Sequence, residues 1–213
     1  MIELMTHDTA HRFDGSLESM YRLRYHIFIE RLNWAVPCAG SLEKDQFDHP
    51  GTIYLFLRNR DGDVVASCRF LPTTGPNLLN DVFPYLVDGP LPNSPVIWEA
   101  SRLAIDHRKE RLELVGGGRR VAGELFCGIQ EFALALNLDY LVSVSDLRLE
   151  RLLKLAGWKL TRLGKPHPVG SIQAVAEITE ISREVLQTLR RKNGIAEPVL
   201  AVADVLTGGR AAA

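Results

Sequence analysis

The 213-residue sequence contains only three cysteines, Cys38, Cys68 and Cys127, and no CxxC pair. An odd, widely spaced set of cysteines argues against a disulfide framework and against a cysteine-based zinc site. We therefore predict no metal site. Reduced thiols are typical of cytoplasmic proteins, so we also expect a cytoplasmic location.

Long apolar runs and an excess of one charge are missing as well. The sequence has no run of about 18 apolar residues, and its first residues lack the basic start and apolar core of a signal peptide. The net charge is −1, which gives no overall field to attract nucleic acid or an anionic membrane. We expect neither as a partner.

The composition that remains is that of an ordinary folded domain. Hydrophobic residues make up 46% of the chain and charged residues 24%, enough for a sizeable core. The length favours one domain over residues 1–205, followed by a flexible tail over 206–213.

Periodicity predicts the order of the helices and strands. Helical spacing of apolar residues indicates helices over 16–32 and 116–137. The apolar runs 52–59 and 63–72 flank a short turn and predict a β-hairpin. Further strands are predicted over 96–105, 139–145, 158–164 and 172–179, and further helices over 147–157 and 182–193. A hairpin followed by strand–helix–strand units indicates a three-layer α/β sandwich around a mixed sheet.

The first helix carries a cationic and aromatic stripe beside its apolar face. Arg24, Phe28 and Arg31 recur one helical turn apart, next to positions that would face a core. Such a stripe is usually solvated, with long side chains covering apolar surface. It can also form one wall of a binding site for a flat, charged ligand.

An acidic loop follows, in which Glu43, Asp45 and Asp48 lie within six residues and only Lys44 balances them. A cluster of this kind is usually solvated surface. If the carboxylates instead converge inside the protein, they need cations to balance them. The arginines of the first helix, or a cationic ligand, can supply that charge.

Three more charged residues occupy predicted strands. Arg69 interrupts an apolar strand, where it needs a carboxylate or an anionic ligand. An ion pair with Asp45 or Asp48 explains it as well as ligand contact does. Glu99 and Arg102 lie three apart, so both can face one cleft only if a bulge interrupts the strand. Glu99 is then either half of a structural pair or a general base.

Read together, these residues resemble the signature of the LuxI-type acyl-homoserine lactone synthases, which make bacterial quorum-sensing signals. The eight ordered positions are Arg24, Phe28, Trp34, Asp45, Asp48, Arg69, Glu99 and Arg102. The strings RLNW, RFLPTTGP and GWKLTRLG also match the family's pattern. The similarity extends over roughly residues 20–170.

The resemblance implies a fold related to the GNAT N-acyltransferases and two substrates, S-adenosyl-L-methionine and an acyl thioester on acyl carrier protein or coenzyme A. The methionine amine would attack the acyl carbonyl, and the carboxylate would then displace methylthioadenosine and close the lactone. S-adenosyl-L-methionine is a substrate here, so no cofactor is expected. A plain GNAT-type N-acetyltransferase and a non-catalytic module that binds these ligands are the alternatives.

The resemblance also suggests roles for individual residues. Glu99 is the predicted general base, with Arg102 beside it at the catalytic centre. Aromatic faces suit a purine or a sulfonium, and carboxylates suit an ammonium. The residues predicted to bind S-adenosyl-L-methionine are Arg24, Phe28, Trp34, Asp45, Asp48 and Arg69.

The acyl donor is expected at the long second helix. Three glycines followed by Arg119 and Arg120 can hold a phosphopantetheine phosphate at the helix start, and Arg148 and Arg151 can dock an acidic carrier. Solvated arginines are an equally good explanation. The predicted acyl-chain contacts are Leu125, Phe126, Ile129, Val142 and Ser143. In this family a strand hydroxyl accompanies 3-oxo acyl groups, but serines stand here where threonine is commoner, which leaves that preference open.

Overall fold

The structure is a computed structural model that describes residues 1–6, 9–13, 15–106 and 120–200. The predicted phosphate contact Arg119, the three glycines before it and the predicted tail 206–213 lie outside these residues. Among the helices in the described ranges, none is both long enough and apolar enough to cross a membrane.

Ten strands and five α-helices lie in the described residues. The strands are β1 Glu3–Met5, β2 Cys38–Ala39, β3 Leu42–Glu43, β4 Ile53–Arg58, β5 Val64–Pro72, β6 Ile97–Ile105, β7 Tyr140–Asp146, β8 Leu160–Arg162, β9 His167–Val169 and β10 Ile172–Glu180. The helices are α1 Ser16–Arg24, α2 Leu78–Val82, α3 Arg120–Ala135, α4 Leu147–Ala156 and α5 Arg183–Asn193.

One large mixed sheet forms the middle layer. Its strands follow the order β1-β4-β5-β6-β7-β10-β8, and β9 also pairs with β10. Among the pairs in this sheet, β6–β7 is parallel and the others are antiparallel. Helix α3 packs on β4 and β5 and against α5, while α1 packs on β5 and β6. The predicted three-layer α/β fold with a mixed sheet is therefore confirmed.

The first helix changes type halfway along its predicted length. It is α-helical to Arg24 and continues as a π-helix over Tyr25–Arg31. A π-helix bonds each residue to the fifth one along and so holds more residues per turn. The predicted stripe is broken as a result: Arg24 and Phe28 are buried, but Arg31 is exposed.

Strands β6 and β7 hold together over a short parallel seam. Ile97–Glu99 pairs with Tyr140–Val142, and no further pairing of the two strands is present in the described residues. Because β6 continues to Ile105 and β7 to Asp146, the two strands separate beyond the seam. The separation opens a gap through the middle of the sheet.

A β-bulge in β6 lies beside this gap. Ser67 pairs with Ala104 but Arg69 pairs with Ser101, so β6 holds one more residue than β5 over this interval. Arg102 lies within the bulge and has a positive φ of 53°. The extra residue brings Arg102 to the same face of the sheet as Arg69, which is the arrangement that the sequence required for a shared cleft.

Candidate active site

Arg24 is the first member of a buried ion-pair network on the α1 face of the sheet. Its guanidinium donates to Glu43 and forms two bonds to Asp48, at 2.7 and 2.9 Å. Asp48 also accepts from the hydroxyl of Tyr54 at 2.7 Å and from the backbone N–H of Asp45 at 2.9 Å. Asp48 therefore joins the first helix to the acidic loop and to the first hairpin.

Arg69 extends the network from the middle of β5. Its Nη1 donates to Asp45 at 2.6 Å and to Asp48 at 3.2 Å, and its Nε donates to Ser101 at 3.1 Å. Its Nη2 is buried and has no hydrogen-bond partner among the described residues. Both ion pairs considered from the sequence are present, and one donor is left over for a ligand.

Arg102 closes the network from the bulge in β6. Its Nε donates to Glu43 at 3.0 Å and its Nη2 donates to Asp45 at 2.6 Å. We call Arg24, Glu43, Asp45, Asp48, Arg69 and Arg102 the arginine–carboxylate network. Its three positive and three negative charges balance. This pairing offsets the free-energy cost of burying each charge away from water.

The network shifts the pKa values of Asp48 and Arg24 toward their charged forms, whereas burial lowers the pKa of Arg102. Burial alone would raise the pKa of Asp48, but the ion pairs with Arg24 and Arg69 hold that pKa well below its ordinary range. Burial alone would lower the pKa of Arg24, but its bonds to Asp48 and Glu43 raise it. Asp48 and Arg24 therefore remain charged at neutral pH.

An aromatic pair borders the network. The rings of Phe28 and Trp34 stack with their centroids 5.3 Å apart and their planes 16° apart. The guanidinium of Arg102 lies 5.6 Å from the centroid of the Phe28 ring. The indole N–H of Trp34 is buried and has no partner among the described residues. Flat rings, a cation and an unused donor together suit a flat polar ligand.

Glu99 lies at the end of the seam between β6 and β7 and is only 1% exposed. Its Oε2 accepts from the backbone N–H of Leu79 at 2.7 Å, whereas its Oε1 has no hydrogen-bond partner among the described residues. Burial raises the pKa of Glu99, although the Leu79 N–H and the charge of Arg69 oppose this. A carboxylate with a raised pKa and one free oxygen can accept a proton.

A cavity of about 530 Å³ connects the two faces of the sheet through the gap. On the α1 face, Phe28, Trp34, Asp45 and Arg102 line it. On the opposite face it continues as an apolar arm, lined by Phe126, Ile129, Leu149, Leu153 and Trp158. Glu99 is not part of the lining itself, but Ala100, Ser101 and Leu78 are.

The predicted acyl contacts divide into two groups. Phe126, Ile129 and Ser143 line the cavity. Leu125 and Val142 do not: each is fully buried in a core cluster, Leu125 under the sheet with α3 and Val142 with Leu79 on the other face. Neighbouring strand residues face opposite sides, so Val142 and Ser143 point to different faces.

Several residues of the cavity wall were not singled out from the sequence. Trp158 and Leu153 read as ordinary core residues, and Ser145 and Thr179 as ordinary strand residues. One signal was available: Glu177 interrupts the apolar strand β10 just as Arg69 interrupts β5, and it is fully buried behind the wall. A charged residue in an apolar strand needs a polar partner when it is buried, and this holds for Glu177 as it does for Arg69.

The basic residues predicted to contact the donor remain on the surface. Arg120, Arg148 and Arg151 are exposed, and Arg120 pairs with Glu124 at 2.9 Å. Arg148 and Arg151 lie one turn apart on α4. This placement is compatible with a docking surface and equally with solvated helix residues, so their roles stay predictions.

The chain is similar to known proteins in both sequence and structure. The family model described as "Autoinducer synthase" matches residues 8–189. The acyl-homoserine-lactone synthase of Acinetobacter nosocomialis is 35% identical over 176 residues, which cover 79% of this chain and 94% of that protein. The structure of BjaI, a CoA-dependent acyl-homoserine lactone synthase, with SAM and isopentyl-CoA superposes with a TM-score of 0.83, 28% identity and 99% coverage of both chains.

A more distant likeness concerns the fold alone. A predicted N-acetyltransferase from Lactobacillus plantarum is 15% identical, with a TM-score of 0.54, covering 85% of this chain and 99% of that chain. The acetyltransferase-like fold expected from the sequence is thereby confirmed.

Proposed function

This chain belongs to the autoinducer synthase family, and we propose that it makes an N-acyl-L-homoserine lactone from S-adenosyl-L-methionine and an acyl thioester, with the residues of the cavity in the roles given below. One observation carries the proposal. The gap between β6 and β7 joins a charged, aromatic chamber to an apolar arm. Two chemically different substrates can therefore meet beside Arg102 in the cavity lining, with Glu99 directly behind the lining residue Ala100.

S-adenosyl-L-methionine occupies the chamber beside the arginine–carboxylate network. The stacked rings of Phe28 and Trp34 face its purine or its sulfonium. Its carboxylate takes the free Nη2 of Arg69, which is otherwise a buried donor without a partner. Its ammonium lies toward Glu99, whose negative charge has no partner in the balanced network.

Glu99 acts as the general base, directly or through one water. The ammonium must lose a proton before its nitrogen can attack, and the free Oε1 of Glu99 receives that proton. The amine then adds to the thioester carbonyl, the carbon–sulfur bond breaks, and a second proton from the nitrogen passes to the leaving sulfur to give the thiol. Glu99 then returns its proton to solvent. The new amide remains beside Arg102 at the gap.

Ring closure completes the product. The methionyl carboxylate attacks its own γ-carbon, the bond from that carbon to sulfur breaks, and methylthioadenosine leaves as a neutral thioether. The sulfonium is thereby the electron sink, and no cofactor is needed for either step. The apolar arm holds the acyl chain, with Phe126, Ile129 and Ser143 in its wall.

The donor is an acyl thioester whose carrier enters from the side of α4. BjaI is named as CoA-dependent, so coenzyme A thioesters are the first donors to supply. If acyl carrier protein serves instead, Arg148 and Arg151 are the residues to meet its acidic surface.

The test is to mix the purified chain with S-adenosyl-L-methionine and a panel of acyl-coenzyme A and acyl-carrier thioesters, and to quantify free thiol and methylthioadenosine together. A synthase releases them in equal amounts, and mass spectrometry detects the acyl-homoserine lactone. Thiol without methylthioadenosine would identify an ordinary acyltransferase and contradict the proposal. Neither product with any donor, while both ligands bind, would identify a non-catalytic module.

A further inference from the structure

The apolar arm contains buried polar atoms that have no hydrogen-bond partner among the described residues. They are Glu177 Oε1, Thr179 Oγ1 and Trp158 Nε1. The other carboxylate oxygen of Glu177 accepts from the Ser145 hydroxyl at 2.7 Å. We call Ser145, Trp158, Glu177 and Thr179 the arm cluster. Three of its four members line the cavity, and Glu177 lies behind them.

The strand register places the arm cluster on one face of the sheet. Glu177 pairs with Ser143 and Thr179 pairs with Leu141 across β10 and β7, and paired residues point to the same side. Leu141 belongs to the core cluster that also contains Trp158, so this is the α3 and α4 face. Glu177 is one strand spacing, about 4.8 Å, farther from the gap than β7.

An alkyl chain in the arm cannot satisfy these atoms. A buried donor or acceptor without a partner is costly, and an apolar ligand that displaces water from it keeps that cost. Burial and the nearby charge of Glu150 raise the pKa of Glu177 to about 7, against the hydrogen bond from Ser145 and the charges of Lys154 and Arg162. Its carboxyl group is thus poised between acid and carboxylate near neutral pH and can either donate or accept.

A hydroxyl group matches this set of atoms better than a carbonyl does. The Trp158 N–H can only donate, and a ligand hydroxyl oxygen accepts from it. The same hydroxyl can donate its own hydrogen to the Thr179 oxygen, or to the oxygen of Ser145, whose own hydroxyl donates to Glu177 behind the wall. A ligand carbonyl accepts only, so it serves Trp158 at any pH but can pair with Glu177 only while that carboxyl group is protonated, whereas a hydroxyl suits either form.

We propose that the arm cluster recognises a hydroxyl group on the acyl chain, so that the preferred donor is a hydroxyl-bearing acyl thioester rather than a plain alkyl one. The inference rests on the proposed function, because it assigns the arm to the acyl chain of the donor. It adds the chemical class of that acyl group and makes Glu177 a specificity-determining residue.

The test compares donors that differ by one oxygen atom. The first set compares octanoyl-coenzyme A with octanoyl thioesters that carry a hydroxyl on the third carbon, a hydroxyl on the last carbon, or a ketone on the third carbon. The second set compares cinnamoyl-coenzyme A with its ring-hydroxylated form. We expect at least one hydroxylated donor to exceed its unsubstituted partner in kcat/KM by about tenfold or more. Equal kcat/KM in every pair, or a preference for the ketone alone, would overturn the inference.

Variants then show whether the arm cluster causes the preference. The measured quantity is the ratio of kcat/KM values within a pair, because a general loss of stability or activity cancels from it. Glu177→Leu should bring the ratio close to one, and Trp158→Phe, which removes only the N–H donor, should lower it severalfold. Glu180→Gln, an exposed change on the same strand, is the matched control and should leave the ratio unchanged.

Failures of the two ideas look different. A wild-type ratio that persists in both Glu177→Leu and Trp158→Phe would overturn this inference but leave the synthase intact, since methylthioadenosine would still be released. Absence of methylthioadenosine with every donor would overturn the proposed function and this inference together. If Glu177→Leu does not fold, Trp158→Phe alone decides.

Discussion

The two ends of the cavity handle buried polar groups in opposite ways. In the arginine–carboxylate network, three arginines and three carboxylates pair with one another, and Nη2 of Arg69 is their one fully buried side-chain atom without a partner among the described residues. In the arm cluster, Trp158, Glu177 and Thr179 each keep an unpaired atom. The first region is assembled before substrate arrives, whereas the second is completed by the ligand.

Acidity distinguishes the same two regions. The ion pairs hold the pKa of Asp48 low, so its contribution to stability is present above the ordinary aspartate value of about 3.9 and is lost as the pH falls below it. Burial raises the pKa of Glu177, so its folded state holds a proton more tightly and loses stability as the pH rises. Asp48 therefore makes the protein less stable at low pH, whereas Glu177 makes it less stable at high pH.

The largest expected effect is on turnover, at the junction of the two regions. Glu99→Gln keeps the shape and the bond from Leu79 but removes the proton acceptor, so methylthioadenosine release should fall about 10²- to 10⁴-fold. Binding of S-adenosyl-L-methionine, measured by calorimetry, should stay within about threefold. Unchanged turnover would remove Glu99 from its role.

The pH profile sharpens this prediction. A base works in its deprotonated form, and burial raises the pKa of Glu99. Wild-type kcat/KM should therefore rise with pH through a value above the ordinary glutamate pKa, and that limb should be missing from Glu99→Gln. Glu30→Gln, at an exposed carboxylate, should keep the wild-type profile.

The next effect is on folding stability in the network. Asp48→Asn keeps the side-chain volume but leaves the network with three positive and two negative charges. Removing one partner of a buried ion pair costs about 3–5 kcal/mol, and urea unfolding should show a loss of that size. Glu18→Gln, in the exposed pair with Arg22, should change stability by less than about 1 kcal/mol. Equal losses of stability in Asp48→Asn and Glu18→Gln would mean that the buried network stabilises the fold no more than an exposed ion pair does.

A smaller effect of opposite sign should appear in the arm cluster. Glu177→Gln cannot ionise, so it avoids the cost that wild type meets as the pH rises from about 4.5 to about 7. Its stability relative to wild type should increase by up to about 3 kcal/mol between pH 5 and pH 8. Urea unfolding at both pH values measures this, and a difference that does not change with pH would contradict the raised pKa.

The smallest effect is expected at a partly exposed ion pair beside the arm cluster. Arg162 and Lys154 pair with Glu150, whose side chain is only 5% exposed, while their own side chains are 41% and 45% exposed. Solvent screens such pairs, so Arg162→Gln should cost less than about 1 kcal/mol. A loss of unfolding free energy as large as that of Asp48→Asn in the same urea titration would show that the partly exposed pair stabilises the fold as much as the buried network does.

Much of the fold was predictable from local pattern. The hairpin β4–β5, the helices α3, α4 and α5, and the strands β6, β7 and β10 each carry a regular apolar period. Strands β1, β2, β3 and β9 are two or three residues long, too short for any period. Strand β1 also depends on its pairing with β4, which lies some fifty residues further along the chain. A short stretch of sequence around β1 carries no information about that pairing.

The site was predictable in its charges but not in its geometry. Arg69 in an apolar strand indicated an ion pair with Asp45 or Asp48, and the spacing of Glu99 and Arg102 required a bulge if both were to face one cleft. Tyr54 was missed because a tyrosine in a hairpin reads as core. The π-helix was missed because apolar spacing does not distinguish it from an α-helix over two turns.

The positive φ of Arg102 limits how freely this position can vary over generations. A non-glycine residue in that conformation carries strain of about 1–3 kcal/mol, which glycine alone would relieve. Glycine, however, would remove the guanidinium that joins Glu43 to Asp45. Any other residue would lose the guanidinium and keep the strain. The arm residues carry no such backbone constraint, so diversification of the signal is free to proceed there while the chamber stays fixed.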